Sequence, residues 1–159
     1  MPRIRPYDLR PSGSAAAPGA AVSCRAPAPW SDGAMSTDRP AAFRAAVERG
    51  DADAAADLFA ADAVFHSPVV HRPYEGREAI RTILRAVVQV FEDFRYTAEF
   101  AGDAGHVLWF HTRVGERELD GVDILRDGPD GLVELTVMVR PYSAATELRA
   151  RMAALLQGG

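Results

Sequence analysis

Between Tyr96 and Arg140 the chain alternates short apolar stretches with three turn signals, Gly102-Asp103-Ala104-Gly105, Gly115-Glu116 and Asp127-Gly128-Pro129-Asp130-Gly131. Turns this close together leave room only for strands, near 95–100, 106–114, 117–125 and 132–140, joined as an antiparallel meander. The meander follows a block with helical periodicity. Helices first and a meander second predict an α+β fold: a cone-shaped, curved antiparallel sheet wrapped around helices, with an internal pocket.

The helical block is punctuated by its own signals. Thr37 or Asp38 can cap a first helix, with Pro40 in its first turn; it runs through Phe43 and Val47 and stops at Gly50. Asp51 caps a second, carrying Leu58 and Phe59. Val64 to Val70 reads as a strand edged at Pro68. After Gly76, Ile80, Ile83, Leu84, Val87, Val88 and Phe91 repeat at the spacing of one buried helix face. Ser143 caps a last helix bearing Leu148, Met152, Leu155 and Leu156.

Residues 1–34 differ. They hold six of the eleven prolines and little to bury, so a disordered tail is expected. A translation start at Met35 fits the same composition, which makes 35–159 the folded domain. An export signal is disfavoured because Pro18 and Gly19 break the one Ala-rich run, and a cytoplasmic location is expected.

Composition narrows the chemistry. All 18 basic residues are arginine, which excludes lysine Schiff-base chemistry and a Walker-type phosphate loop. The single cysteine, Cys24, forms no internal disulfide and no CxxC pair. His66, His71 and His106 lack metal-ligand spacing, so no metal and no cofactor are expected. A formal charge of -4 without a basic stripe argues against nucleic acid. No apolar run reaches membrane-spanning length.

Hairpin register gives the candidate site. A type II′ turn at Gly115-Glu116 pairs Val114 with Arg117, His111 with Asp120 and Trp109 with Val122. Pairing Leu125 with Leu132 across the next turn sets Val122 opposite Leu135. The concave face is then expected to hold Trp109, His111, Asp120, Val122, Leu135 and Val137. Leu108, Phe110, Leu119, Asp123, Thr136 and Met138 fall on the outer face, apolar enough to form a homodimer. A bulge at Gly121 would turn Asp123 inward, so both acids stay candidates. The candidate catalytic set is His111, Asp120 and Asp123: a carboxylate fixes the imidazole tautomer and raises its basicity. A plain cross-strand ion pair is the competing reading. Phe65, His66, Tyr74, Phe91 and Phe94 complete the expected pocket wall, with core packing as the alternative for the aromatics.

Three passages carry a family likeness: Phe59-Ala60-Ala61-Asp62-Ala63-Val64-Phe65, Tyr74-Glu75-Gly76-Arg77-Glu78-Ala79-Ile80, and Gly121-Val122-Asp123 followed by Val137-Met138-Val139-Arg140-Pro141. Together with the element order, they resemble the SnoaL-like branch of the nuclear transport factor 2-like superfamily over about residues 38–156. That resemblance implies the cone fold. It leaves function open, since the superfamily includes polyketide cyclases, ketosteroid isomerases, epoxide hydrolases, dehydratases and noncatalytic modules. Isomerase-like members use a Tyr and two acids, whereas the first helix here offers Phe43. Epoxide-hydrolase-like members use an Asp-Arg-Asp set, whereas Trp109, His111, Val137 and Met138 stand in those regions. Cyclase-like members use an Asp, whose place Asp120 or Asp123 can take by region. Three functions follow: a cofactor-independent enzyme moving protons on a small apolar or cyclic molecule, a noncatalytic binding or assembly module, or a structural dimer with a filled cone.

Overall fold

The structure, a computed structural model, describes residues 38–157. The expectations for 1–34, for Met35 and for a Thr37 cap lie outside the described residues. Helices α1 (Arg39–Glu48) and α2 (Ala52–Asp57) lead into strand β1 (Phe59–His66), and the short β2 (Tyr74–Glu75) precedes helix α3 (Arg77–Val90). Strands β3 (Glu92–Gly102), β4 (Gly105–Val114), β5 (Arg117–Gly128) and β6 (Gly131–Arg140) form the meander, and helix α4 (Tyr142–Gln157) closes the domain. The six strands lie in one sheet in the order β2-β1-β6-β5-β4-β3. Every pairing is antiparallel except β1 with β6.

Local chemistry explains most boundaries. The Asp38 and Asp51 carboxylates accept from the Ala41 and Ala54 amides at 3.1 and 3.0 Å, satisfying the first free donors of α1 and α2. α3 starts at Gly76, whose φ of +91° suits glycine. It buries Ile80, Ile83, Leu84, Ala86 and Val90 and leaves Val88 exposed. α4 begins at Tyr142, so Ser143 lies inside the helix instead of capping it. α2 stops at Asp57, so Phe59 belongs to β1, which starts well before Val64.

The pairings Val114–Arg117, His111–Asp120 and Trp109–Val122 are the expected ones. The β5–β6 register is not. Gly128 pairs with Gly131 across Pro129-Asp130, and a register shift between Arg126 and Asp127 sets Leu125 opposite Leu135 and Val122 opposite Met138. An odd offset exchanges the partner faces of two strands. The pocket side of β6, Leu135 and Val137, therefore meets Leu125 and Asp123 of β5.

This inverts the expected facing of β4 and β5. Leu108, Phe110 and Leu119 are buried beneath the helices, not on an outer face. Trp109 and Met138 are exposed on the convex side. Both faces of β4 and β5 carry large apolar residues, so alternation alone could not choose between them. Packing chooses: Gly121 pairs with Phe110, and a methyl group on Gly121 would fall on the Phe110 ring. There is no bulge at Gly121, since the β4–β5 register runs unbroken from His106–Leu125 to Val114–Arg117.

Candidate functional site

Helices α1, α3 and α4 and the concave sheet face leave a cavity of about 360 Å³ between them. Such a volume lies within the range of small-molecule sites. Its wall is almost wholly apolar. Phe65 and Tyr74 come from β1 and β2, Phe91 from the end of α3, and Leu135 and Val137 from β6. Phe94 of β3, expected in an aromatic wall, is there too, whereas Phe43, Val47, Phe110, Leu148 and Met152 were not anticipated as wall residues. Phe91 stacks on Phe94 with ring centroids 5.9 Å apart, and Phe94 also packs against Phe110 at 5.3 Å.

Among the described residues, one carboxyl opens onto this surface. Asp123 is buried and lines the cavity, pointing inward because its whole strand face does. The Tyr96 hydroxyl donates to its Oδ2 at 2.6 Å. Burial pushes the Asp123 carboxyl up to about 7, against the lowering effect of the Tyr96 hydrogen bond. Burial, and then the neighbouring Asp123 charge, push the Tyr96 phenol well above its usual value. Tyr96 therefore remains the donor. The Arg44 guanidinium sits 5.9 Å from the Tyr96 ring centroid and pairs with Glu99 at 3.1 Å. Sequence reasoning missed Tyr96. The available signal was the Phe94/Tyr96 alternation against the charged Asp93 and Arg95, which marks the inward side of β3.

The other expected site residues lie elsewhere. His111 and Asp120 do meet, Nδ1 to Oδ1 at 2.9 Å, but on the convex face. There His111 Nε2 also reaches Glu118 at 2.8 Å, and Arg140 reaches Asp120 at 3.4 Å. The pair is a partly exposed charge network outside the cavity. Trp109 and Val122 line a shallow surface depression beside Asp120 and Arg140. His66 follows Phe65 on β1 and so points away from the cavity, 3.8 Å from Glu134. Asp123 is thus the one member of the expected catalytic set at the cavity wall.

A steroid delta-isomerase from Pseudomonas aeruginosa has a similar structure, with 40% sequence identity, a TM-score of 0.71, and alignment over 76% of this chain and 90% of that one. An uncharacterised bacterial protein with a cystatin-like fold from Silicibacter pomeroyi is 30% identical, with a TM-score of 0.70 over 74% of this chain and 84% of its own. An NTF2-like protein from Mesorhizobium loti shares the fold at 17% identity and a TM-score of 0.58, over 65% of this chain and 88% of its own. A search of curated proteins finds no match. The model of the SnoaL-like domain matches residues 41–157. With an apolar cavity between helices and a curved sheet, and with that match over most of its length, the chain belongs to the SnoaL-like domain family.

Proposed function

We propose that this domain binds a small, mostly apolar or cyclic, carbonyl-bearing molecule in the cavity and moves a proton on it with Asp123. The observation that carries this reading is a carboxyl, the one among the described lining residues, set in an apolar wall and raised by burial to about 7. Near pH 7 such a group is populated in both protonation states, which is what a general acid and base requires. The ionised carboxylate takes a proton from the carbon beside the carbonyl, and the resulting acid returns it at a different carbon. Tyr96 holds Oδ2 at 2.6 Å and so fixes the carboxyl plane. The proton balance closes on Asp123, with no cofactor. The 40% identity to a steroid delta-isomerase supports an isomerisation of this kind.

The test uses a β,γ-unsaturated ketosteroid as probe, its conjugated product followed by ultraviolet absorbance. Asp123→Asn is expected to lower kcat by at least about a hundredfold. His111→Ala, outside the cavity, is expected to retain turnover. Retained turnover in Asp123→Asn would reject the assignment.

A noncatalytic binding module is the second reading. It is favoured by the absence of a second carboxyl or a histidine among the described residues lining the cavity. Saturable binding of the steroid without conversion supports it.

We further propose that the convex sheet face, with Phe100, Trp109 and Met138 exposed, is covered by a second copy of the chain. Among the described residues no helix is long and apolar enough to cross a membrane. A cytoplasmic location remains our reading on sequence grounds.

A further inference from the structure

Asp123 lies at the sheet wall of the cavity, and Arg149 of α4 lies at its border. Arg149 also lines a second, more open hollow of about 460 Å³. The two spaces share Arg149 and the segment Ser67, Pro68, Val69 and Val70. They are therefore adjacent, with Arg149 in the wall of both. The outer hollow is more polar, adding His71, Tyr142 and Thr146, and no carboxylate among the described residues lines it.

Arg149 is the one arginine among the described residues that lines both spaces, and like Arg49, Arg72, Arg77, Arg95 and Arg117 it forms no ion pair among them. Arg39, Arg44, Arg81, Arg85, Arg113, Arg126, Arg140 and Arg151 each pair with a carboxylate. Arg149 has no ion pair and no side-chain hydrogen bond among the described residues. Arg149 is exposed, and its guanidinium offers five donors from a residue that lines both the polar hollow and the apolar cavity.

We propose that the ligand of this site is an amphiphile with an anionic oxygen head: its apolar end fills the inner cavity against Asp123, and its head is held by Arg149 in the outer hollow. This deepens the reading of the cavity given above and rests on it. The two ends of the site enforce one orientation. A carboxylate head pushed inward would lose its hydration against aromatic walls and face the Asp123 carboxyl, whereas at the border it keeps water and meets a cation. Carboxylate and phosphate heads share the required chemistry.

The test is isothermal titration of the full chain with decanoate, decyl phosphate and 1-decanol, at pH 8, where Asp123 is ionised and repels an inward head. The wild-type protein is expected to bind one or both anions about fivefold more tightly than the alcohol, as suits a partly solvated ion pair. Whichever anion binds more tightly names the head. Arg149→Gln is expected to remove that preference while leaving the alcohol's affinity unchanged. Arg149→Lys, which keeps the charge, is expected to retain part of it. Equal binding of all three probes overturns the proposal, as does an anion preference that survives Arg149→Gln, or no binding of any probe at about millimolar concentration. The readout is binding alone, so loss of the Arg149 effect leaves the Asp123 assignment standing, and failure of Asp123 in turnover leaves the Arg149 result standing.

Discussion

Asp123, the proposed proton carrier of the site, also imposes a cost on folding. Its carboxyl is raised from the ordinary carboxylate range to about 7, chiefly by burial. A raised acid binds its proton more tightly in the folded chain than in the unfolded one. Its effect is absent below the unfolded value, and stability falls as pH rises between the two values. The shift amounts to a loss on the order of 4 kcal/mol above pH 7. Asp123→Asn is therefore expected to melt higher than wild type at pH 8 and to lose this advantage near pH 4, as read by thermal unfolding at the two pH values. Equal differences at both would reject the burial account. Tyr96→Phe removes a hydrogen bond that favours the ionised form, so the Asp123 carboxyl should titrate above 7, as followed by carbon NMR of the labelled side chain. A titration that stays in place would mean that Tyr96 does not tune the acid.

At the scale of elements, the punctuation was legible and the facing was not. Asp38, Asp51, Gly50, Gly76 and the three glycine-bearing turns set the order and approximate bounds of the elements, because caps and tight turns act locally. The short β2 escaped notice, since two residues leave no period to read. The faces of β4 and β5 escaped because Trp109 and Val122 are as apolar as Phe110 and Leu119. Only the shift at Arg126/Asp127 and the fit of Phe110 over Gly121 decide between them, and both are tertiary facts. Asp123 was named as an inward candidate on the strength of a bulge that does not exist. It faces the cavity because the whole strand is turned that way. The Gly121 contact gives a direct test. Gly121→Ala would drive a methyl group onto Phe110 and to 2.8 Å from the Met138 carbonyl, so it should destabilise by about 2 kcal/mol in urea unfolding. Gly102→Ala, with open space at its Cβ position, should be close to neutral. Equal effects would mean that close packing at Gly121 does not fix the strand's orientation.

For the whole molecule, the inverted facing moves the proposed subunit contact onto the other side of the sheet. The surface at stake now carries Trp109, Met138 and Phe100, with the polar His111–Asp120–Arg140 cluster alongside. Sedimentation velocity at micromolar concentration should find a dimer, and the double change Trp109→Glu, Met138→Glu should leave a folded monomer. A monomeric wild-type protein would reject this contact. Seen along the chain, the sheet's topology also favours one order of assembly. β3 to β6 join through neighbouring hairpins, whereas the one parallel pair must bring Phe65 to Leu135 from far apart in sequence. Local hairpins close early and distant pairs close late. Phe65 and Leu135 are both cavity wall, so the cavity is complete only once that pair has closed. A bound molecule can thus reward the finished fold, but it cannot act as a template for reaching it.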